Sequence, residues 1–113
     1  MSLVLYGLKN CDTCKKALKA LESAGKTFEF IDIRADADLC EKVPIWLATV
    51  GDKLLNKAST TWRGLSEAEK QSATSDPAPL LIANPTLVKR PVIEADGTVH
   101  VGWKTDVQDA LLA

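Results

Sequence analysis

The feature that most restricts this chain is a Cys-x-x-Cys pair placed where the backbone period changes. Leu3-Val4-Leu5-Tyr6 reads as a strand, and the stretch Leu8-Lys9-Asn10-Cys11-Asp12-Thr13-Cys14-Lys15-Lys16 follows it. Cys14, Ala17, Leu18 and Leu21 then recur at the offsets of one helical face. Cys11 therefore falls near the first turn of a helix, where backbone N–H groups point outward without partners. That end carries roughly half a positive elementary charge, which favours an anion such as a thiolate. Lys9, Lys15 and Lys16 add positive charge to the same stretch. A thiol so placed ionises below its ordinary range, and the thiolate is the reactive form. Cys14 lies one turn on, within disulfide reach. The pattern points to a redox or nucleophilic centre. Two plainer readings stand beside it: half of a zinc site, or, for Cys14, an ordinary buried residue. No second Cys pair follows, and His100 and Cys40 are isolated in the sequence. A closed zinc site needs four ligands, so no metal is expected.

A chain of 113 residues suits one compact domain with its own core. Its net charge of -1 gives no case for direct nucleic-acid binding, and no basic stretch follows the last apolar segment. No apolar run approaches a membrane span, and no secretory h-region is expected at the N-terminus. Three cysteines, an odd number, fit a reducing cytoplasm with a transient disulfide better than a secreted framework.

The first helix is expected to stop at Ser23-Ala24-Gly25, with Gly25 as a left-handed cap. Phe28 to Ile33 reads as a second strand, which completes a β-α-β unit. Residues 35–85 read as an inserted helical segment. Leu39, Val43, Trp46, Leu47 and Val50 hold helical spacing, and Pro44 is expected in the first turn of a helix ending before Gly51. A polar run from Asn56 to Arg63 follows. Ser66 and Glu69 form a capping box, Asp76-Pro77 suits the cap and first position of another helix, and Asn84-Pro85 closes it. Val92-Ile93-Glu94 and Val99-His100-Val101 flank Asp96-Gly97, a strong hairpin signal. Asp106 is expected to start a closing helix. The order β-α-β, helical segment, β-β-α is that of an α/β, thioredoxin-like fold with a mixed sheet, and a Cys-x-x-Cys at its first strand-to-helix turn agrees.

In such a fold the loop that leads into the third strand faces that turn, so Arg90 should lie near Cys11. Topology favours a cis peptide at Pro91, although a trans proline beginning a strand is also permitted.

The chain resembles the arsenate-reductase-like group of the thioredoxin superfamily, which includes the Spx-type transcription regulators. The resemblance runs over nearly the whole length. It rests on Tyr6 through Ala17, Leu54-Leu55-Asn56-Lys57, Thr60-Thr61-Trp62-Arg63, Asn84-Pro85 through Lys89-Arg90-Pro91, and Val101-Gly102-Trp103. The Thr-Thr-Trp-Arg stretch points to the small Spx/YffB-like branch.

The resemblance implies that Cys11 is the nucleophile and that Arg90 binds the anion. Lys9, Asn10, Lys15, Asn56, Arg63 and Pro91 would surround the substrate, a small thiol or an oxyanion. Asn56 stands where the arsenate enzymes have arginine, and no arginine lies near Gly102. Loss of such permanently charged groups is not conservative for oxyanion binding. Cys14, which the Spx-type pattern shares, would serve as a resolving thiol. The expectation is a thiol-dependent reductase with glutathione as co-substrate and no tightly bound cofactor, or with thioredoxin or glutaredoxin as the restoring partner. An arsenate reductase, a redox-sensing regulator that binds RNA polymerase, and a non-catalytic thiol-binding module are the alternatives.

Overall fold

The computed structural model describes residues 3–112. Met1, Ser2 and Ala113 lie outside the described residues. The chain forms two compact units, one running up to Ala37 and resuming at Arg90, the other Asp38–Lys89.

The first unit is built on a four-stranded sheet of β1 (Leu3–Gly7), β2 (Phe28–Asp32), β3 (Val92–Ala95) and β4 (Thr98–Val101), in the order β2-β1-β3-β4. β1 pairs parallel with β2 and antiparallel with β3, and β3 pairs antiparallel with β4. The sheet is therefore mixed, and the fold is the thioredoxin-like α/β arrangement that the element order implies. Strand alternation decides which residues enter the core. Leu3 and Leu5 of β1 and Ile93 and Ala95 of β3 share one face. They form a buried cluster with Ala17 and Leu21 of α1 (Asp12–Ser23) and Val107 and Leu111 of α6 (Thr105–Leu112). Phe28, Phe30, Leu18 and Trp103 close its margin. The β3–β4 turn places Asp96 at φ 48° and Gly97 at φ 85°, the pair of positive values that a type I′ turn requires. Gly25, at φ 73°, ends α1 in the same left-handed region, and Lys26 donates its N–H to the Leu21 carbonyl at 3.0 Å.

The second unit is helical: α2 (Leu39–Val50), α3 (Thr60–Arg63), α4 (Glu67–Ser75) and α5 (Ala78–Ala83), with single 3₁₀ turns at Gly51–Leu54 and Pro85–Leu87. Leu55 and Val88 form an antiparallel bridge, and the Lys89 N–H donates to the Leu54 carbonyl at 2.7 Å, which ties the segment's ends together. The capping box of α4 is present, with Ser66 and Glu69 bonded reciprocally.

Three helix boundaries differ from expectation. Pro44 sits inside α2 rather than in its first turn. Asp38 starts the helix earlier, accepting the Glu41 N–H at 3.3 Å, and burial of Leu39, Val43 and Trp46 along one face holds the helix through the proline. Pro44 and Cys40 are exposed, so the carbonyl four residues back can turn to water. α5 begins at Ala78, because Asp76 ends α4 and Pro77 becomes the cap. α6 begins at Thr105, one residue before Asp106.

Leu21→Ala should lower stability by about 2–5 kcal/mol, since it opens a cavity in the cluster. Ser66→Ala should remove about 1 kcal/mol through loss of one cap. Urea unfolding midpoints of the two variants check the ranking.

Candidate active site

Cys11 is the N-cap residue of α1, in extended backbone at φ -90° and ψ 122°. Cysteine is not among the side chains that cap helices well, and no closed cap hydrogen bond forms here. What holds the turn is backbone: Cys11 donates its N–H to the Leu8 carbonyl at 3.1 Å, and its own carbonyl accepts the Lys15 N–H at 2.9 Å. The residue is left half-buried at a helix start. Such a residue choice serves the site rather than the helix.

Cys14 lies on the inner face of α1 and is fully buried. Both cysteines are free thiols. Burial pushes the Cys14 thiol up to about 12, and its hydrogen bond and proximity to Cys11 add to this. The Leu8 backbone N–H and Arg90 oppose the rise without cancelling it. Cys11 moves the other way. Its partial burial alone would raise it, but the Cys14 N–H and thiol favour the thiolate, as do the charge and a hydrogen bond of Arg90. The net result holds Cys11 below the ordinary thiol range. One sulfur is thus prepared to ionise, and its neighbour remains a proton donor to it.

Arg90 is half-buried with its Nε atom buried, and its bond to Pro91 is cis. The Gly102 N–H donates to the Pro91 carbonyl at 2.9 Å, and so ties the end of β4 to the loop ahead of β3. That loop delivers the guanidinium to Cys11, as topology leads one to expect. Lys9, Lys15 and Lys16 are exposed, and the groups that chiefly lower Cys11 are Cys14 and Arg90. Lys9 also contributes to a lowered Asp32, whose carboxylate is held down chiefly by the Ala35 and Arg34 N–H groups. The sequence places these lysines near Cys11 along the chain but does not say which way they point. Asn10 is exposed as well.

Asn56 and Arg63 belong to the second unit, where both are engaged by their own loop. Asn56 accepts the Ala58 N–H through its side chain at 3.2 Å, while Arg63 Nη2 donates to the Ala58 carbonyl at 2.9 Å. Thr61 Oγ1 meets Thr86 Oγ1 at 2.7 Å, and Lys57 and Lys70 lie 5.7 and 6.0 Å from the Trp62 ring centroid. Much of the Thr-Thr-Trp-Arg stretch therefore builds local structure. Among the described residues, no group of three or more His, Cys, Asp or Glu could hold a metal ion.

One site residue was not legible as such. Gly7 ends β1 directly against Cys14. A glycine in a strand with no turn demand is the available signal, since it often marks close approach of another group.

A half-buried cysteine at a strand-to-helix turn, a buried thiol behind it and a cis-proline loop beside it define a thioredoxin-fold thiol site. The chain belongs to the ArsC family, whose model matches residues 6–111. It is 41% identical to an uncharacterised protein of Haemophilus influenzae over 98% of this chain and 99% of that one. It is 32% identical to YusI of Bacillus subtilis, over 94% of each. Among solved structures it is similar to the YffB protein, at 39% identity and TM-score 0.88 over 98% of this chain and 99% of the other. It is also similar to an arsenate reductase (ArsC) related protein from Brucella melitensis, at 41% identity and TM-score 0.78 over 97% and 93%. The YffB likeness agrees with the branch to which Thr60-Thr61-Trp62-Arg63 points.

Alkylation rate against pH, followed at each cysteine by mass spectrometry, should give Cys11 an inflection below about 8.5, the unperturbed thiol value. Arg90→Gln should move that inflection upward. Cys14 has the opposite linkage. Its native pKa of about 12 lies above its unfolded value, so the native state holds the proton longer. Its contribution to stability is full below the unfolded value, about 8.5, and is lost as pH rises toward the native one. Denaturation midpoints of the parent should fall more steeply with pH across that window than those of Cys14→Ala.

Proposed function

We propose that this protein is a thiol–disulfide reductase, in which Cys11 is the nucleophile, Cys14 the resolving thiol and glutathione the electron donor. The observation that carries the reading is the opposed tuning of two adjacent sulfurs, Cys11 held low beside Arg90 and Cys14 held high by burial.

In the first step the Cys11 thiolate attacks one sulfur of a substrate disulfide. A Cys11–substrate disulfide forms, the substrate S–S bond breaks, and the departing thiolate takes a proton from water. Cys14 then loses its proton and attacks the Cys11 sulfur. The Cys11–Cys14 bond forms and the second substrate thiolate leaves, so two protein thiols are oxidised as one disulfide is reduced. Two glutathione molecules restore the dithiol by the same exchange and end as glutathione disulfide. Arg90 favours the Cys11 thiolate and offers a planar fork to a carboxylate of glutathione. Lys9, Asn10 and Lys15, exposed on the same stretch, are available to its other polar groups. Asn56 and Arg63, bonded to Ala58 within their own loop, carry no step of this reading. No tightly bound cofactor is required. No described helix is long and apolar enough to cross a membrane, and the chemistry suits a reducing cytoplasm.

Arsenate is the weaker substrate on this reading. Each missing charged hydrogen bond to a buried anion costs roughly 1.5–3 kcal/mol. With asparagine at position 56 and no arginine near Gly102, two such losses would lower arsenate efficiency by about two to four powers of ten. Turnover on a glutathione mixed disulfide should therefore exceed turnover on arsenate by roughly 100-fold or more. Arg90→Lys, which keeps charge but loses the fork, should reduce the former by about 10-fold. Faster arsenate turnover that Cys14→Ser leaves unchanged would mean that an oxyanion is the substrate.

A further inference from the structure

Gly7 is a strand residue whose φ lies outside the left-handed region, so its backbone does not require glycine. Its surroundings do. A Cβ at this position would stand 2.6 Å from Cys14 Sγ, closer than real Cβ atoms come to any heavy atom. The next contacts, Cys14 Cβ and Leu5 Cδ2 at 3.4 Å each, are tolerable. The conflict is with the sulfur alone.

The sulfur sits in a tight setting. It is fully buried, receives the Leu8 N–H and shares a hydrogen bond with Cys11. Cys14 has one side-chain torsion before its sulfur, and a helix allows few χ1 wells. A methyl group at position 7 can be relieved only by rotating that torsion or by shifting α1 from the strand. Rotation would carry the sulfur off its present line toward Cys11, and disulfide closure demands an S–S separation of about 2 Å at a restricted dihedral.

We propose that Gly7 is a positioning residue for the Cys11–Cys14 reaction: the space left by its missing Cβ is filled by the Cys14 sulfur, and this holds that sulfur where it can close on Cys11. The role rests on the reading of Cys14 as the resolving thiol. It assigns to β1 the placement of the second sulfur, as the helix start and Arg90 govern the ionisation of the first.

The test uses the full chain carrying Cys40→Ser, because Cys40 is exposed and would react too. The probe is the aromatic disulfide dithiobis(nitrobenzoate). Attack by Cys11 releases one thionitrobenzoate and leaves the other on Cys11. Closure by Cys14 expels the second, its own proton passing to solvent. Gly7→Ala should leave the first release within about twofold and slow the second by roughly 10-fold or more. Cys14→Ala should abolish the second release with or without Gly7→Ala. Thermal unfolding supplies an independent arm: the melting shift caused by Gly7→Ala should shrink by about half or more in the Cys14→Ala background. If Gly7→Ala folds only when combined with Cys14→Ala, the slot is likewise supported. Equal slowing of both releases, or an undiminished melting shift in Cys14→Ala, would overturn the proposal, as would failure of both variants to fold. A parent that shows no second release would refute the closure step itself, and with it the reaction role of Gly7. That outcome differs from one in which the parent closes and Gly7→Ala closes equally fast, which refutes Gly7 alone.

Discussion

Two sulfurs one helical turn apart are treated in opposite ways by the same short stretch of backbone, and the chemistry of the site depends on that contrast. Cys11 stands half-buried at the start of α1. Cys14 is turned inward, and burial keeps it protonated. The contrast requires α1 to begin where it does, immediately after β1, with its inner face set on Leu5 and Ile93. Sheet pairing, the α1 core face and the redox centre are therefore one problem rather than three.

The charge that matters comes from far away in sequence. Arg90 reaches Cys11 because β3 runs antiparallel beside β1, and the loop ahead of β3 opens at the end of the strand that precedes Cys11. Its Nε is buried, so solvent screens the guanidinium less than it screens an exposed ammonium. Lys9, Lys15 and Lys16 are nearer along the chain but exposed. A cation remote in sequence but partly shielded from solvent thus tunes the thiol.

The same distinction explains what the sequence discloses. Strand, Cys-x-x-Cys and helix are local patterns, as are the Asp96-Gly97 turn, the Gly25 cap and the Ser66–Glu69 box, and each is present in the structure. The position of Arg90 beside Cys11 follows from topology once the fold is recognised. Pro44 misleads because the local rule against proline is overridden by the buried face of Leu39, Val43 and Trp46. Asn56 and Arg63 carry side chains suited to a substrate, yet both bond to Ala58 within their loop, which no spacing rule reveals. Gly7 is the hardest to read: a glycine in a strand hints at a close approach, but only the packed position of Cys14 shows which atom fills the space.

On the proposed mechanism substrate sulfur enters through Cys11 and is expelled by Cys14. The most direct measurement is peptide mapping of adducts after brief exposure to glutathione disulfide. A Cys11–Cys14 disulfide is expected in the parent, and a persistent glutathione adduct on Cys11 in Cys14→Ser. An adduct confined to Cys40, or a Cys11 that stays unmodified in Cys14→Ser, would contradict this mechanism.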